Sequence, residues 1–193
     1  MNRRDPFLSV AAKRVLDVLG ALVGLSFTAL FYIPLAIAIK LDSPGPVLFG
    51  QERLGKDERT FKLFKFRTMC LGPSLYGPKP ATDDDRVTRV GRLLRRTSLD
   101  ELPQFYNILR GEMSLVGPRP EQLPLAAYYR GAERRRFEVK PGLTGWWQVS
   151  GRKQPMYEHG EDDLYYVEHR SLRLDLLILL RTARAVITGE GAL

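Results

Sequence analysis

Two adjacent carboxylates, Asp100 and Glu101, directly follow a run of arginines near the middle of the chain. An ionised carboxylate can attack the phosphorus of a phosphoanhydride when nearby cations neutralise the phosphate charge. The same stretch also fits a capping box, in which Ser98 caps a helix and Glu101 bonds the Ser98 amide. Spacing alone leaves both interpretations open. Pro103 favours the chemical one, because a proline in the second turn of a helix would remove the hydrogen bond to the Leu99 carbonyl.

The arginines before this pair recur every three to four residues, which predicts a helix over residues 86–96 with several guanidinium groups on one side. They are Arg86, Arg89, Arg92, Arg95 and Arg96. Such a series is typical of a solvated helix face or of a nucleic-acid surface, and the alternating aromatic and basic residues at 61–67 could stack bases. Neither alternative explains the acidic pair. We therefore rank phosphate chemistry above nucleic-acid binding.

Arg119 lies between Pro118 and Pro120, so its guanidinium is attached to a stiff loop. This arrangement suits bidentate recognition of a phosphate or a uracil, and a structural salt bridge is the alternative. His159 and His169 have no partner at metal-ligand spacing, and the single cysteine, Cys70, excludes an intramolecular disulfide. The net charge of +8 favours anionic partners of some kind.

Residues 18–39 carry no charge. A helix of about 22 residues at about 1.5 Å each could just cross a hydrocarbon core of about 30 Å. Basic residues flank the segment on both sides, so the positive-inside tendency favours both ends in the cytoplasm, which an ordinary spanning helix, the alternative, does not satisfy. A re-entrant, helix-break-helix element meets this condition, and Pro34 would place its bend. Lys13, Arg14 and Asp17 precede the segment, where Lys13 and Asp17 are expected to pair on one helix face.

We expect an α/β fold in which residues 1–42 form the membrane element and residues 43–193 form a compact cytoplasmic domain of short helices and few strands. The boundary falls at Ser43-Pro44-Gly45-Pro46, which ends any helix. The further expected elements are a hairpin of strands 47–51 and 61–66, a helix from Ser98 to Gly111, a basic amphipathic helix at 121–138, a partly extended segment at 141–151 and an amphipathic helix at 172–187. The last of these suits either the membrane interface or an ordinary core.

Several longer motifs occur in a fixed order and together resemble one family, the small monotopic phosphoglycosyl transferases, or bacterial sugar transferases. The motifs are KRVLD from Lys13, SPGPVLF from Ser43, KFRTM from Lys65, SLDELPQ from Ser98, GEMSLVGPRP from Gly111 and KPGLTGWWQVSGR from Lys140. The resemblance covers nearly the whole chain. It implies transfer of a phosphosugar from a UDP-sugar to undecaprenyl phosphate, the first step in building a surface glycan.

By this resemblance, Asp100 is the nucleophile that forms an aspartyl phosphosugar and releases UMP, and Glu101 is the Mg²⁺ ligand. Arg95 matches a position associated with the carrier phosphate, and Arg119 matches the nucleotide-side arginine. The remaining residues that we assign to substrate binding from the motifs are Lys65, Arg67, Arg152 and Asp163.

The resemblance also implies binding to membrane lipid at the cytoplasmic face of the bacterial inner membrane, with no nucleic-acid partner, and it leaves a homodimer open. The sequence departs from the family where the usual Ser-Pro of the membrane bend falls opposite Ala29-Leu30, one turn before Pro34. Lys153 and Tyr157 stand where an Asn and a Trp are more usual. The identity of the sugar therefore stays undetermined.

Overall fold

The longest element, α1, is a single helix of 37 residues that runs from Pro6 to Asp42. The computed structural model describes residues 6–71, 84–150 and 160–188. Within these ranges, one helix is long and apolar enough to cross a membrane, over Val10–Asp42. The sequence predicted a helix-break-helix, whereas α1 is assigned as one helix that continues through Pro34. A proline removes one backbone hydrogen bond, but its fixed φ is compatible with a helix.

One side of α1 packs against the rest of the protein along most of its length. The residues that make these contacts recur every three or four positions, as one helix face requires. They include Lys13, Asp17, Gly20, Gly24, Thr28, Tyr32, Ile39 and Asp42. The other side carries exposed apolar residues, including Val15, Leu19, Leu22, Val23, Leu30, Ile33, Ile37 and Leu41. Helix α1 therefore has one face on the protein and one apolar face that is uncovered.

The expected pair between Lys13 and Asp17 is not formed, because each side chain finds a partner outside α1. Lys13 Nζ lies 2.7 Å from Asp175 Oδ2. Asp17 is buried, and its Oδ1 accepts hydrogen bonds from Ser114 Oγ and from the Leu115 amide, both at 2.8 Å. These contacts fix the start of the apolar segment to the domain.

Arg14 caps the C-terminal end of a neighbouring helix. Its two Nη groups donate to the carbonyls of Ile108 and Leu109, each at 2.8 Å. These residues belong to the last turn of α3, Gln104–Arg110, whose carbonyls have no partner within the helix. A cation at this position also interacts favourably with the helix dipole.

The main sheet has three antiparallel strands in the order β2-β1-β4. Strands β1, Leu48–Leu54, and β2, Thr60–Phe66, form a hairpin joined by a 3₁₀ turn at Lys56–Glu58. The predicted hairpin is therefore confirmed, with a longer first strand than expected. The short strand β4, Glu121–Gln122, pairs with the other edge of β1.

A second, parallel pair consists of β3, Ser114–Val116, and β5, Gly142–Thr144. The other helices are α2, Arg89–Arg96, α4, Trp146–Ser150, α5, Gly160–His169, and α6, Leu172–Thr188. The predicted helix at 172–187 is confirmed as α6. Helix α5 was not predicted from the sequence.

The basic helix predicted at 121–138 is wrong. After β4, this segment forms two 3₁₀ stretches, Leu123–Tyr128 and Gly131–Glu138. Pro124 lies at the start of the first stretch, and Gly131 separates the two with a φ of +50°. Both residues interrupt an α-helix of this length.

The largest buried cluster lies between α1, the hairpin, β3 and α6. Its members are Ala21, Leu63, Ile108, Met113, Leu115, Val116, Tyr166 and Ile178. A second cluster joins Ile39 of α1 to Phe66 of β2 and Leu94 of α2. Helix α1 thus contributes to both clusters and is part of the core.

Candidate active site at Asp100 and Glu101

The adjacent carboxylates lie on a 3₁₀ turn, Leu99–Glu101, between α2 and α3. The capping-box interpretation is wrong, because Ser98 has left-handed backbone angles and its side chain caps no amide. Pro103 is the N-cap residue of α3. A proline at the beginning of a helix loses no intrahelical bond. The turn is therefore not the first turn of a long helix, and the Glu101 carboxylate is available for other contacts.

The Glu101 carboxylate is held between two cations. Its Oε1 accepts from Lys65 Nζ at 2.7 Å and from Arg119 Nη2 at 2.9 Å. Burial alone would raise the pKa of Glu101, but the charges of Arg119 and Lys65 outweigh it and lower that pKa well below its usual value. Glu101 is therefore an anion over the whole physiological range.

Asp100 has a different environment, although it is the next residue. It is 8% exposed, and its Oδ2 lies 3.9 Å from Lys65 Nζ. Burial raises the pKa of Asp100, Lys65 opposes this rise, and the negative charge of Glu101 adds to it. The carboxylate of Asp100 is thus poorly solvated and less well paired than that of Glu101.

Arg95 approaches Asp100 from the last turn of α2. The Nε of Arg95 donates to Thr68 Oγ1 at 3.0 Å, so Thr68 fixes the orientation of the Arg95 side chain. Burial lowers the pKa of Arg95, and the Asp100 charge partly offsets this effect. The structure therefore brings Lys65, Arg95 and Arg119 together around the two carboxylates.

Arg119 is on a loop in which three successive carbonyls are all hydrogen-bonded. The Gly142 amide donates to Pro118 O at 2.8 Å. Arg136 Nη2 donates to Arg119 O at 2.8 Å, and Arg53 Nη1 donates to Pro120 O at 3.2 Å. The two prolines have no N–H to donate, so these acceptor bonds are what fix the loop.

Arg67, which we assigned to substrate binding, has a structural role instead. It is 3% exposed, and its five N–H groups meet five oxygens at the end of α1 and in the following turn. The acceptors belong to Ile39, Ser43, Pro44 and Pro46. A guanidinium has only five N–H donors, so none remains for a substrate.

Asp163 is also buried, at 3% exposure, with its Oδ2 3.0 Å from Arg136 Nη2. Its partner Arg136 contacts the backbone of Arg119 and not the carboxylate pair. Asp163 is therefore connected to Arg119 through Arg136. Arg152, Lys153, Tyr157 and His159 lie outside the described residues.

Sequence reasoning missed Arg136, Glu121 and Arg53 as residues that support the loop. The position of Glu121, directly after the Pro-Arg-Pro sequence, is the one feature of the sequence that could have indicated its role in supporting the loop. Arg136 is the third of three consecutive arginines, and the sequence does not indicate which of the three is buried.

The alternating aromatic and basic strand is used for packing. Phe66 is 1% exposed and packs near Tyr32, with ring centroids 5.9 Å apart. Phe64 packs near Tyr106 at the same centroid distance. Phe64 and Phe66 therefore contribute to packing within the domain.

The fit of a divalent cation can be tested on the donor set. Among residues 6–71, 84–150 and 160–188, no group of three or more His, Cys, Asp or Glu side chains could hold a metal ion. Mg²⁺ commonly uses one or two carboxylates and completes its shell with water and substrate phosphates. Both cations bond the same oxygen of Glu101, Oε1, which leaves Oε2 for a metal. The carboxylate pair therefore fits Mg²⁺ held jointly with a diphosphate.

The comparisons with known proteins show the family. The family model for bacterial sugar transferases matches residues 8–189. A UDP-N-acetylgalactosamine-undecaprenyl-phosphate N-acetylgalactosaminephosphotransferase of Aeromonas hydrophila is 42% identical over 93% of this chain and 44% of its own length. A UDP-glucose:undecaprenyl-phosphate glucose-1-phosphate transferase of Caulobacter vibrioides is 43% identical over 93% of this chain and 71% of its own.

A third relative, the uncharacterized sugar transferase EpsL of Bacillus subtilis, is 41% identical over 93% of this chain and 89% of its own length. The chain spans less than half of the Aeromonas relative and most of the Bacillus one. The match to the family model extends over nearly all of the 193 residues. The chain belongs to the bacterial sugar transferase family.

Proposed function

We propose that this protein transfers a phosphosugar from a UDP-sugar to undecaprenyl phosphate through a covalent intermediate on Asp100. The observation that carries the proposal is the division of roles in the carboxylate pair. Glu101 is paired with Lys65 and Arg119, while Asp100 is buried and, among the residues that the structure describes, has its nearest ion-pair partner in Lys65 at 3.9 Å. Relatives named as undecaprenyl-phosphate sugar-phosphate transferases support the substrate classes.

In the first step, an Asp100 oxygen attacks the phosphorus that carries the sugar. A bond forms between that phosphorus and the carboxylate oxygen, and the anhydride bond to the second phosphorus breaks, so UMP leaves with the bonding electron pair. Lys65 and Arg119, which contact the carboxylate pair, would offset this negative charge. The attacking species is the ionised form of the Asp100 carboxylate, so no proton transfer accompanies this step.

In the second step, a phosphate oxygen of undecaprenyl phosphate attacks the same phosphorus. The acyl phosphate bond breaks and regenerates the Asp100 carboxylate, and the product is a polyprenyl diphosphosugar. Arg95 is suited to the carrier phosphate, since it is half-buried beside Asp100 and its direction is fixed by Thr68. The covalent intermediate divides one difficult transfer into two easier ones.

Glu101 would hold a Mg²⁺ ion together with the diphosphate of the substrate. The ion would supply Lewis-acid stabilisation of the phosphate oxygens. Glu101 suits this role because its lowered pKa keeps it ionised. Lys65 and Arg119 orient the Glu101 carboxylate through Oε1.

The experiment is UMP release from a panel of UDP-sugars by purified protein, with and without undecaprenyl phosphate. Intact mass after incubation with the UDP-sugar alone reports the intermediate. We expect a phosphosugar adduct on the wild type and none on Asp100→Asn, because an amide cannot accept the phosphoryl group. The panel also identifies the sugar, which differs among the named relatives.

Asp57→Asn is the matched control, because Asp57 is exposed on the hairpin turn with a φ of 55°, a conformation that Asn tolerates. We expect it to form the adduct as the wild type does. Adduct formation by Asp100→Asn would overturn the nucleophile assignment. A wild type that releases no UMP from any UDP-sugar would overturn the proposed function.

A further inference from the structure

Three consecutive arginines on the 3₁₀ stretch Gly131–Glu138 have different environments. The side chains of Arg134 and Arg135 are 45% and 43% exposed and pair with surface glutamates. The side chain of Arg136 is 1% exposed. Full burial of a guanidinium requires partners for its charge and its donors, and those partners indicate what it does.

Arg136 meets three acceptors from three different elements. Nη1 lies 3.1 Å from Glu121 Oε2, at the start of β4. Nη2 lies 3.0 Å from Asp163 Oδ2, on α5, and donates to Arg119 O at 2.8 Å. Its guanidinium carbon lies 4.2 Å from the centre of the Tyr129 ring. One side chain therefore connects the Arg119 loop to the edge of the sheet and to α5.

The two carboxylates of this cluster are buried as deeply as the arginine. Glu121 is 2% exposed, and its Oε2 also accepts from the Tyr129 hydroxyl at 2.5 Å. Its Oε1 accepts from the Gln122 amide at 2.8 Å. Burial raises the pKa of Asp163 to about 6 despite the opposing charge of Arg136. Buried ion pairs of this kind add little stability compared with apolar packing, so their value is better sought in the geometry that they impose.

That geometry concerns the residue that contacts Glu101. Of the three carbonyls that fix the Pro-Arg-Pro loop, the Arg119 carbonyl is held by Arg136. The Arg119 side chain leaves the same residue and reaches Glu101 Oε1 at 2.9 Å. A displacement of about 1 Å at a positioned group can cost about 100-fold in rate. Loss of the bond from Arg136 would release the backbone from which Arg119 projects.

We propose that Arg136 is a positioning residue for the reaction, and that Glu121 and Asp163 hold it in place so that it fixes Arg119 against Glu101. This inference rests on the proposed function. The inference gives Arg136, Glu121 and Asp163 a role in positioning the candidate active site, although none of the three contacts the carboxylate pair.

The test uses Arg136→Lys, with Arg135→Gln as the matched control at the neighbouring exposed position. Lysine keeps the charge but lacks the planar fork, so it cannot bond Glu121, Asp163 and the Arg119 carbonyl together. Initial rates of UMP release give kcat and KM for the UDP-sugar. We expect kcat/KM to fall by about 10-fold or more for Arg136→Lys. The control should stay within about twofold.

A purely structural role is distinguished by repeating Arg136→Lys in an Arg119→Ala background. If Arg136 acts through Arg119, the second substitution should change kcat/KM by less than about twofold once Arg119 is truncated. UMP affinity gives a second comparison that does not require turnover. It is measured by thermal shift on the wild type, Arg136→Lys, Arg119→Ala and the double variant. Equal losses in both backgrounds, in rate and in UMP affinity, would overturn the inference.

Asp163→Asn provides a milder variant if Arg136→Lys does not fold, because it keeps the side-chain size. We expect it to lower kcat/KM by a smaller factor and to have no further effect in the Arg119→Ala background. An Asp163→Asn protein with full activity in the wild-type background would argue against the inference. Absence of UMP release by the wild type would instead count against the proposed function, so the two failures are distinct.

Discussion

The two carboxylates of the candidate active site are neighbours in sequence, and the fold gives them different acidities. Lys65 and Arg119 lower the pKa of Glu101, whereas burial raises that of Asp100. Pairs of titratable groups with diverging pKa values commonly have distinct roles. This difference supports a permanently ionised Glu101 as metal ligand and a poorly solvated Asp100 as nucleophile.

The first prediction at this scale concerns Glu101→Gln. The substitution keeps the shape but removes the charge that binds Lys65, Arg119 and the proposed metal. We expect kcat to fall by about 100-fold or more, since electrostatic groups at a reacting phosphate have effects of this size. Stability should change by about 1 kcal/mol, or about 2–4 °C in Tm, because both cations are partly solvated. UMP release across a Mg²⁺ titration, with Tm measured in parallel, checks both expectations.

Glu58→Gln is the control for this prediction, because Glu58 also binds an arginine, Arg134, but at the surface. Its activity should equal that of the wild type. Chelation by EDTA should abolish UMP release in the wild type and in this control, and added Mg²⁺ should restore it. Near wild-type turnover by Glu101→Gln would leave Glu101 with a structural role only.

The second prediction concerns the pH dependence of stability. The pKa of Asp163 in the folded protein is about 6, against an ordinary value of 3.8. Because the folded pKa is raised, the stability linked to this proton is fully present below pH of about 4 and is lost as the pH rises through about 6. The total effect is about 3 kcal/mol, with about 1 kcal/mol of it between pH 5 and pH 7.

The measurement is the Tm of wild type and Asp163→Asn at pH 5 and pH 7. Relative to the variant, the wild type should lose roughly 2–4 °C over this interval. Glu161→Gln, at an exposed position on the same helix, should follow the wild type. Parallel curves for wild type and Asp163→Asn would show that Asp163 does not titrate as its burial implies.

At the scale of elements, the position of the catalytic turn depends on how closely α1 approaches α3. Gly20 faces the Leu115 side chain and Gly24 faces the Phe105 ring, with no room for a β-carbon at either position. Phe105 is on α3, which begins three residues after Glu101. Gly24 lets α1 approach α3 closely, and Gly20 lets α1 approach β3, so the two glycines set the distance between α1 and the candidate site.

The third prediction follows from this contact. Gly24→Ala should destabilise the protein by about 1–3 kcal/mol, because the new methyl group overlaps the ring of Phe105. Helix propensity alone predicts the opposite, a gain of about 1 kcal/mol. Addition of Phe105→Leu should recover part of the loss by making space. Tm values of the two single variants and the double variant measure the coupling, and Ala29→Val on the exposed side of α1 is the control.

The sequence predicted the elements that have local signals. The hairpin followed from β-branched and aromatic residues around a polar turn, and α6 followed from its periodicity. Arg14 and Asp17 were singled out, but their partners lie at Ile108, Leu109, Ser114 and Leu115, about 90 residues or more away, and no local pattern specifies such partners. The structural contacts of Arg67 were missed for the same reason, because four of its five acceptors are backbone carbonyls of residues 39–46.

The segment 121–138 was misjudged because its composition is helical while its backbone is directed by tertiary contacts. Arg136 is drawn inward by Glu121 and Asp163, which a regular amphipathic helix could not arrange around Pro124 and Gly131. The assignment of chemistry to the pair at 100–101 stays a prediction. The local structure of the pair is a 3₁₀ turn after a left-handed Ser98, which the sequence did not indicate.

At the scale of the whole molecule, α1 lies along the domain rather than projecting from it. Near its start, Lys13 and Asp17 bond β3 and α6. At its end, Asp42 Oδ2 accepts from the Val90 amide at 2.7 Å, and Arg67 bonds the carbonyl of Ser43. Both ends of the apolar segment therefore contact the same domain. The uncovered apolar face between them, together with exposed Leu176, Leu177 and Leu180 of α6, is a surface that lipid would cover.

The last prediction is that both termini lie on the cytoplasmic side of the membrane. A spanning helix of 37 residues would be about 55 Å long and would carry its first turns to the far side of a core of about 30 Å. That arrangement would break the buried contacts of Lys13, Arg14 and Asp17 and would move basic residues outward against the positive-inside tendency. We propose single cysteines at Asn2 and at Leu193 in a Cys70→Ser background, each treated with an impermeant thiol reagent on intact cells. Neither site should react until the membrane is permeabilised, after which both should react. Labelling of the Asn2 site alone in intact cells would instead establish a single-span anchor and would require α1 to separate from the domain.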